Sequence, residues 1–122
     1  MTGHVLLIED EPNIAEAIRF LLHREGMQVS SLGEGTGAAA AVEAERPDLV
    51  ILDLMLPGCS GLEILEAIRA NPETGGTPVL MLTAKGQGRD REAAERAGVD
   101  RFMTKPFSNA EMIASVRALV GR

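Results

Sequence analysis

His4-Val5-Leu6-Leu7-Ile8, followed at once by Glu9-Asp10-Glu11, is the stretch on which the fold turns. An apolar run this short is too brief for a buried helix. It also lacks the apolar–polar alternation of a strand with one wet face, so it reads as a strand covered on both faces. Leu49-Val50-Ile51-Leu52 repeats the pattern and ends in Asp53, and Val79-Leu80-Met81-Leu82 repeats it again and ends in Thr83-Ala84. Two more polar candidates, Met27–Leu32 and Val99–Met103, suit the exposed edges of a sheet.

Helical patterns fill the gaps. Ile14, Ala17, Ile18, Leu21 and Leu22 follow the i, i+3, i+4, i+7, i+8 stripe, with Pro12 at the first turn and Gly26 at the stop. Ser60-x-x-Glu63 and Ser108-x-x-Glu111 are capping boxes. Leu62, Leu65 and Ile68 follow the first box, and Met112, Val116 and Leu119 the second. A shorter helix runs over Ala38–Glu45 before Pro47, and another over Arg89–Ala97 with only Ala93, Ala94 and Ala97 to bury. The last should be weakly docked, because alanine buries little area.

Strand and helix thus alternate five times. Right-handed crossovers then give an α/β, doubly wound, five-stranded parallel sheet with helices on both faces. With the apolar strands inside, the order is 2-1-3-4-5, whereas the other doubly wound order needs about six strands. The 122 residues read as one domain, 1–122, with no effector domain in this chain. Eighteen acidic against twelve basic residues give a net charge of −6, which excludes an autonomous nucleic-acid binder. No apolar run approaches the roughly 20 residues that span a bilayer, and none reads as a signal peptide, so the expected location is the cytoplasm. One cysteine, Cys59, leaves no internal disulfide, and no Cys/His set has zinc spacing.

Ligands of such a sheet bind beyond the carboxyl ends of the strands. Those ends carry Glu9-Asp10-Glu11, Asp53, Thr83-Ala84 and Lys105-Pro106. Clustered carboxylates need a cation, and hard oxygen donors without His or Cys point to Mg²⁺. Lys105 as a point charge and the Thr83 hydroxyl as a donor are what a phosphoryl group beside that metal requires.

With Asp53-Leu54-Met55-Leu56-Pro57-Gly58, Thr83-Ala84 and Lys105-Pro106-Phe107 in this order, the whole chain resembles the receiver domain of bacterial two-component response regulators, a flavodoxin-like fold. The resemblance implies that Asp53 is the phosphoacceptor, served by a histidine kinase or a histidine phosphotransfer protein. It implies that Asp10, Asp53 and the backbone carbonyl of Met55 ligate Mg²⁺, with Glu9 orienting a metal-bound water. It assigns phosphate binding to Lys105, Thr83 and Ala84, and switch roles to Thr83 and Phe102. It makes the Lys105–Pro106 bond cis. The domain is then a signalling phosphoacceptor, not an enzyme, that promotes its own phosphorylation and dephosphorylation. Its fourth helix, fifth strand and fifth helix would control a downstream effector. The same comparison places two side chains, Met55 and Lys85, over the access of water to the phosphorylated Asp53, where neither orients a nucleophile.

A looser resemblance to receivers with winged-helix DNA-binding partners implies a homodimer through that same face. Arg91, Asp100, Glu111 and Arg117 suit its charge pattern, while Arg101 and Ser115 depart from it. The alternative function is a phosphorylation-independent interaction module of the same fold. Gly33-x-Gly35-x-x-Ala38, followed by Asp53, formally matches a dinucleotide fingerprint. Glu34 beside a pyrophosphate, the polar preceding strand and the small number of strands count against it. An FMN site fares no better, with an acidic loop after the first strand and only three aromatic residues.

Overall fold

The computed structural model describes residues 2–84 and 88–120. Five strands alternate with five helices: β1 (His4–Ile8), α1 (Pro12–Arg24), β2 (Gln28–Leu32), α2 (Ala38–Glu45), β3 (Leu49–Asp53), α3 (Gly61–Ala70), β4 (Val79–Thr83), α4 (Gly88–Ala97), β5 (Arg101–Thr104) and α5 (Asn109–Val120). All pairings are parallel, in the order β2-β1-β3-β4-β5. The three apolar runs are the central strands, as their composition requires.

The pleat divides their side chains between two cores. Val5, Leu7, Leu49, Ile51, Leu80 and Leu82 face α1 and α5, where they meet Ile18, Leu22, Met112 and Val116. Leu6, Ile8, Val50, Leu52, Val79 and Met81 face α2, α3 and α4, where they meet Val42, Ile64, Leu65, Ile68 and Ala94. Two-sided burial is why these strands do not alternate. Both capping boxes close: the Ser60 hydroxyl accepts from the Glu63 N–H at 3.3 Å, and the Ser108 hydroxyl from the Glu111 N–H at 3.1 Å. No helix of the described residues is long and apolar enough to cross a membrane.

Three expectations shift. β5 starts at Arg101, two residues later than its apolar content indicates, and ends at Thr104. The Val99 N–H turns back to the Ala94 carbonyl, and the Asp100 carboxylate accepts from Val79 N–H and Arg69, so both residues are committed before the ladder begins. On α1, Ala17 is exposed and Ala15 packs on the core instead. On α3, Ile64 is fully buried while Leu62 is only half-buried. Of the three alanines expected to bury on α4, Ala94 is buried, while Ala93 and Ala97 are only half-buried. Lys85 lies outside the described residues.

The glycine loop has a structural purpose. Gly35 donates its N–H to the Pro57 carbonyl at 3.0 Å, and a Cβ there would stand 1.9 Å from the Cys59 carbonyl oxygen. The loop is braced against the segment that follows Asp53, with no room for a pyrophosphate between them. Gly35→Ala should lower stability by about 2 kcal/mol through overpacking. Gly33→Ala, with nothing within 4 Å of its Cβ position, should be near neutral. Urea unfolding of both variants checks this, and equal effects would contradict it.

Candidate functional site

The parallel strand order brings the carboxyl ends of β1, β3, β4 and β5 to one rim. Asp53 is the last residue of β3, and Glu9 and Asp10 follow β1 directly. Glu9 and Asp53 are 2% and 5% exposed, whereas Asp10 is open to solvent. One carboxylate oxygen from each of the three lies within 4.8 Å of the other two. Lys105, just past β5, inserts its Nζ 2.8 Å from Glu9 Oε1, 3.0 Å from Asp53 Oδ2 and 3.4 Å from Glu11 Oε1. Asp10, Glu11, Asp53, Met55, Ala84 and Lys105 line a cleft of about 270 Å³.

Local backbone holds this arrangement. The Met55 N–H donates to Asp53 Oδ1 at 3.2 Å, and the Glu11 N–H to Glu9 Oε2 at 3.1 Å. The Lys105 N–H donates to the Thr83 carbonyl at 2.7 Å, tying β5 to β4 beside the site. The Lys105–Pro106 bond is cis. Gly61 opens α3 against the phosphoacceptor candidate itself, since a Cβ there would stand 2.4 Å from the Asp53 carbonyl oxygen.

Burial pushes the Glu9 carboxyl up to about 7; the Lys105 hydrogen bond opposes this and the one to Asp53 adds to it. Burial works against the charge of Lys105, yet its hydrogen bonds to Glu9 and Asp53 outweigh that and raise its pKa. The ammonium therefore stays charged. Three carboxylates against one ammonium leave an excess negative charge that a divalent cation would balance. Glu9 Oε1 makes its ion pair with Lys105 but no well-directed hydrogen bond among the described residues. An all-oxygen donor set carrying this excess negative charge fits Mg²⁺, which keeps several of its own waters.

Thr83 is 1% exposed, and its hydroxyl finds no hydrogen-bond partner among the described residues. A buried orphan hydroxyl is costly unless something else accepts its proton. Register pairs Met81 with Phe102 and Thr83 with Thr104, so Thr83 and Phe102 share the sheet face toward α4. Phe102 is half-buried there, with the Arg91 guanidinium 4.8 Å from its ring centre. Met55 is 63% exposed at the cleft mouth, and Ala84 is exposed beside it.

The side chains suited to a symmetric dimer all have partners within the chain. Asp100 binds Arg69 at 2.8 Å, Arg117 binds Glu25 at 3.0 Å, Arg91 covers Phe102, and Glu111 caps α5. Ser115 is buried. Arg69 escapes sequence reasoning altogether: one arginine on a helix carries no signal of the four groups it binds.

A model of the response regulator receiver domain matches residues 5–117. The chain is 46% identical over 118 residues to "Probable transcriptional regulatory protein TcrX" of Mycobacterium tuberculosis, covering 97% of this chain and 50% of that protein. It is 39% identical over 122 residues to the DNA-binding response regulator MtrA of Mycolicibacterium smegmatis, covering 100% of this chain and 52% of that protein. The chain thus spans about half the length of the curated relatives it matches. Among solved structures, the receiver domain of sensor histidine kinase PA1611 from Pseudomonas aeruginosa PAO1, with a magnesium ion in its active-site cleft, superposes with a TM-score of 0.91 at 30% identity, covering 100% of both chains.

Proposed function

The chain belongs to the response regulator receiver domain family of two-component systems, and on that premise we propose that Asp53 accepts a phosphoryl group from a histidine kinase or histidine phosphotransfer protein in a Mg²⁺-dependent reaction. The observation that carries this is a carboxylate 5% exposed, yet lining an open cleft and held between an ammonium at 3.0 Å and two further acids. An Asp53 oxygen forms the bond to phosphorus as the bond from phosphorus to the donor's leaving group breaks, giving an acyl phosphate. Asp10, Asp53 and the Met55 carbonyl would hold Mg²⁺, with Glu9 orienting a water beside it, and the ion would supply positive charge next to the phosphoryl oxygens.

Lys105 leaves its carboxylate partners to face the same oxygens as a point charge. The Thr83 hydroxyl donates to one of them, beside the backbone of Ala84. Drawing Thr83 toward the cleft opens space on the face it shares with Phe102, which turns inward and changes α4, β5 and α5 for a downstream effector. The domain acts as a phosphoacceptor in the cytoplasm, promoting its own phosphorylation and hydrolysis. DNA binding, a property of the relative MtrA by its name, would come from an effector and not from this acidic domain.

Acetyl phosphate with Mg²⁺ should add one phosphoryl group by intact mass, and chelation or Asp53→Asn should abolish the addition. If wild-type protein stays unmodified with both acetyl phosphate and a kinase donor, the phosphorylation-independent interaction module is the better reading.

A further inference from the structure

Four of the five described methionines are core residues: Met27, Met81, Met103 and Met112 are at most 5% exposed. Met55 is 63% exposed, and its residue forms one wall of the cleft that holds Asp10, Glu11, Asp53, Ala84 and Lys105. Its own N–H donates to Asp53 Oδ1, so the thioether and the candidate acceptor carboxylate belong to one short, mutually braced turn. Thioether oxidation follows access. The competing nucleophile nearby, Cys59, is half-buried, and burial together with Glu63 raises its thiol pKa, which keeps it poor in thiolate.

We propose that Met55 is a peroxide-sensitive modification site whose oxidation alters the Asp53 cleft. Its effect on phosphoryl lifetime rests on the function proposed above; the site itself does not. In the step, a sulfur lone pair takes one oxygen atom from a peroxide, the O–O bond breaks, the thioether is oxidised to the sulfoxide and the peroxide is reduced to water. An apolar side chain that cannot hold a water becomes a polar one with a strong acceptor oxygen, at the mouth of a cleft lined by a lysine and three acids. Water then has a hydrogen-bonding anchor beside the acyl phosphate. Sulfoxide reductases make the change reversible.

The test treats the full chain with hydrogen peroxide, in wild type and in Cys59→Ser, and locates added oxygen by peptide fragmentation. Residue 55 should be oxidised before residues 27, 81, 103 and 112. Amide NMR of the metal-free protein should show shifts at Asp10, Ala84 and Lys105, with none at Thr77 across the sheet. Neither response should occur at residue 55 of Met55→Leu. In phosphorylated protein, oxidation should shorten the acyl-phosphate lifetime roughly threefold or more, a small change in barrier, and sulfoxide reductase should restore it. Oxidation of the core methionines first, or a sulfoxide at 55 that leaves the cleft amides unmoved, overturns the proposal. Failure of the reduced protein to take up phosphate overturns the function reading instead, because the oxygen map and the amide shifts are read without it.

Discussion

Replacing Arg69 by methionine should destabilise the domain by about 3 kcal/mol, more than the loss of any exposed ion pair. From α3, this guanidinium donates to the carbonyls of Gly98 at 2.9 Å, Gly75 at 3.1 Å and Thr77 at 2.7 Å, and to Asp100 Oδ2 at 2.8 Å. It joins the loop before β4 to the turn before β5. Both side chains of the Arg69–Asp100 pair are about four-fifths covered, so truncation takes the cation from a poorly solvated carboxylate and the guanidinium donor from three carbonyls. Methionine keeps most of the stem volume and isolates the polar loss. For a domain of this size the midpoint should fall by on the order of 10 °C. Arg46→Met is the control: its bridge to Glu73 is more than half exposed on both sides and should contribute under about 1 kcal/mol. Thermal and urea unfolding of the two variants decide the matter, and equal losses would show that Arg69 is only a surface residue.

The second large effect is at Lys105. Lys105→Met leaves Glu9 and Asp53 buried without the cation that lies 2.8 and 3.0 Å from them. Removing one partner of a buried pair costs about 3–5 kcal/mol when the survivor stays charged. Here the cost depends on pH. The Glu9 carboxyl already has its pKa raised by burial from 4.5 to about 7. A raised acid contributes stability below its unfolded pKa and loses it as pH rises toward the folded value. Without Lys105, the interaction that opposes this rise is gone, so Glu9 holds its proton to still higher pH. In metal-free buffer the deficit of the variant should therefore be smaller at pH 5 than at pH 8, where it should reach several kcal/mol. Adding Mg²⁺ should recover part of the deficit at pH 8. Denaturant unfolding at the two pH values, with and without Mg²⁺, measures this. A deficit independent of pH would mean that Lys105 acts through packing and not through charge.

How much of this was legible beforehand can be argued residue by residue. The central strands announced themselves, because burial on both faces demands continuous apolar runs and only Val5–Ile8, Leu49–Leu52 and Val79–Leu82 supply them. The capping boxes were equally local signals, since a cap is decided within four residues, and α2 was legible as the run that stops before Pro47. The start of β5 was not, because Asp100 is claimed by Arg69, thirty-one positions away.

The candidate site divides along the same line. That Glu9, Asp10, Asp53, Thr83 and Lys105 stand at strand ends follows from the sequence alone, since strand alternation and right-handed crossovers bring those ends to one rim. Local chemistry determined the residue types, and with them the expectation of a hard cation and a phosphoryl group. Tertiary structure decided everything that depends on distance: which carboxylates Lys105 neutralises, that the Thr83 hydroxyl lacks a partner among the described residues, and that Gly35 and Gly61 close against the Asp53 loop. It also decided that the charges suited to a symmetric dimer are already paired within the chain. The reason is physical. Periodicity and capping act over a few residues and are written in order along the chain, whereas an ion pair or a close backbone approach depends on packing between elements that the order of residues does not measure.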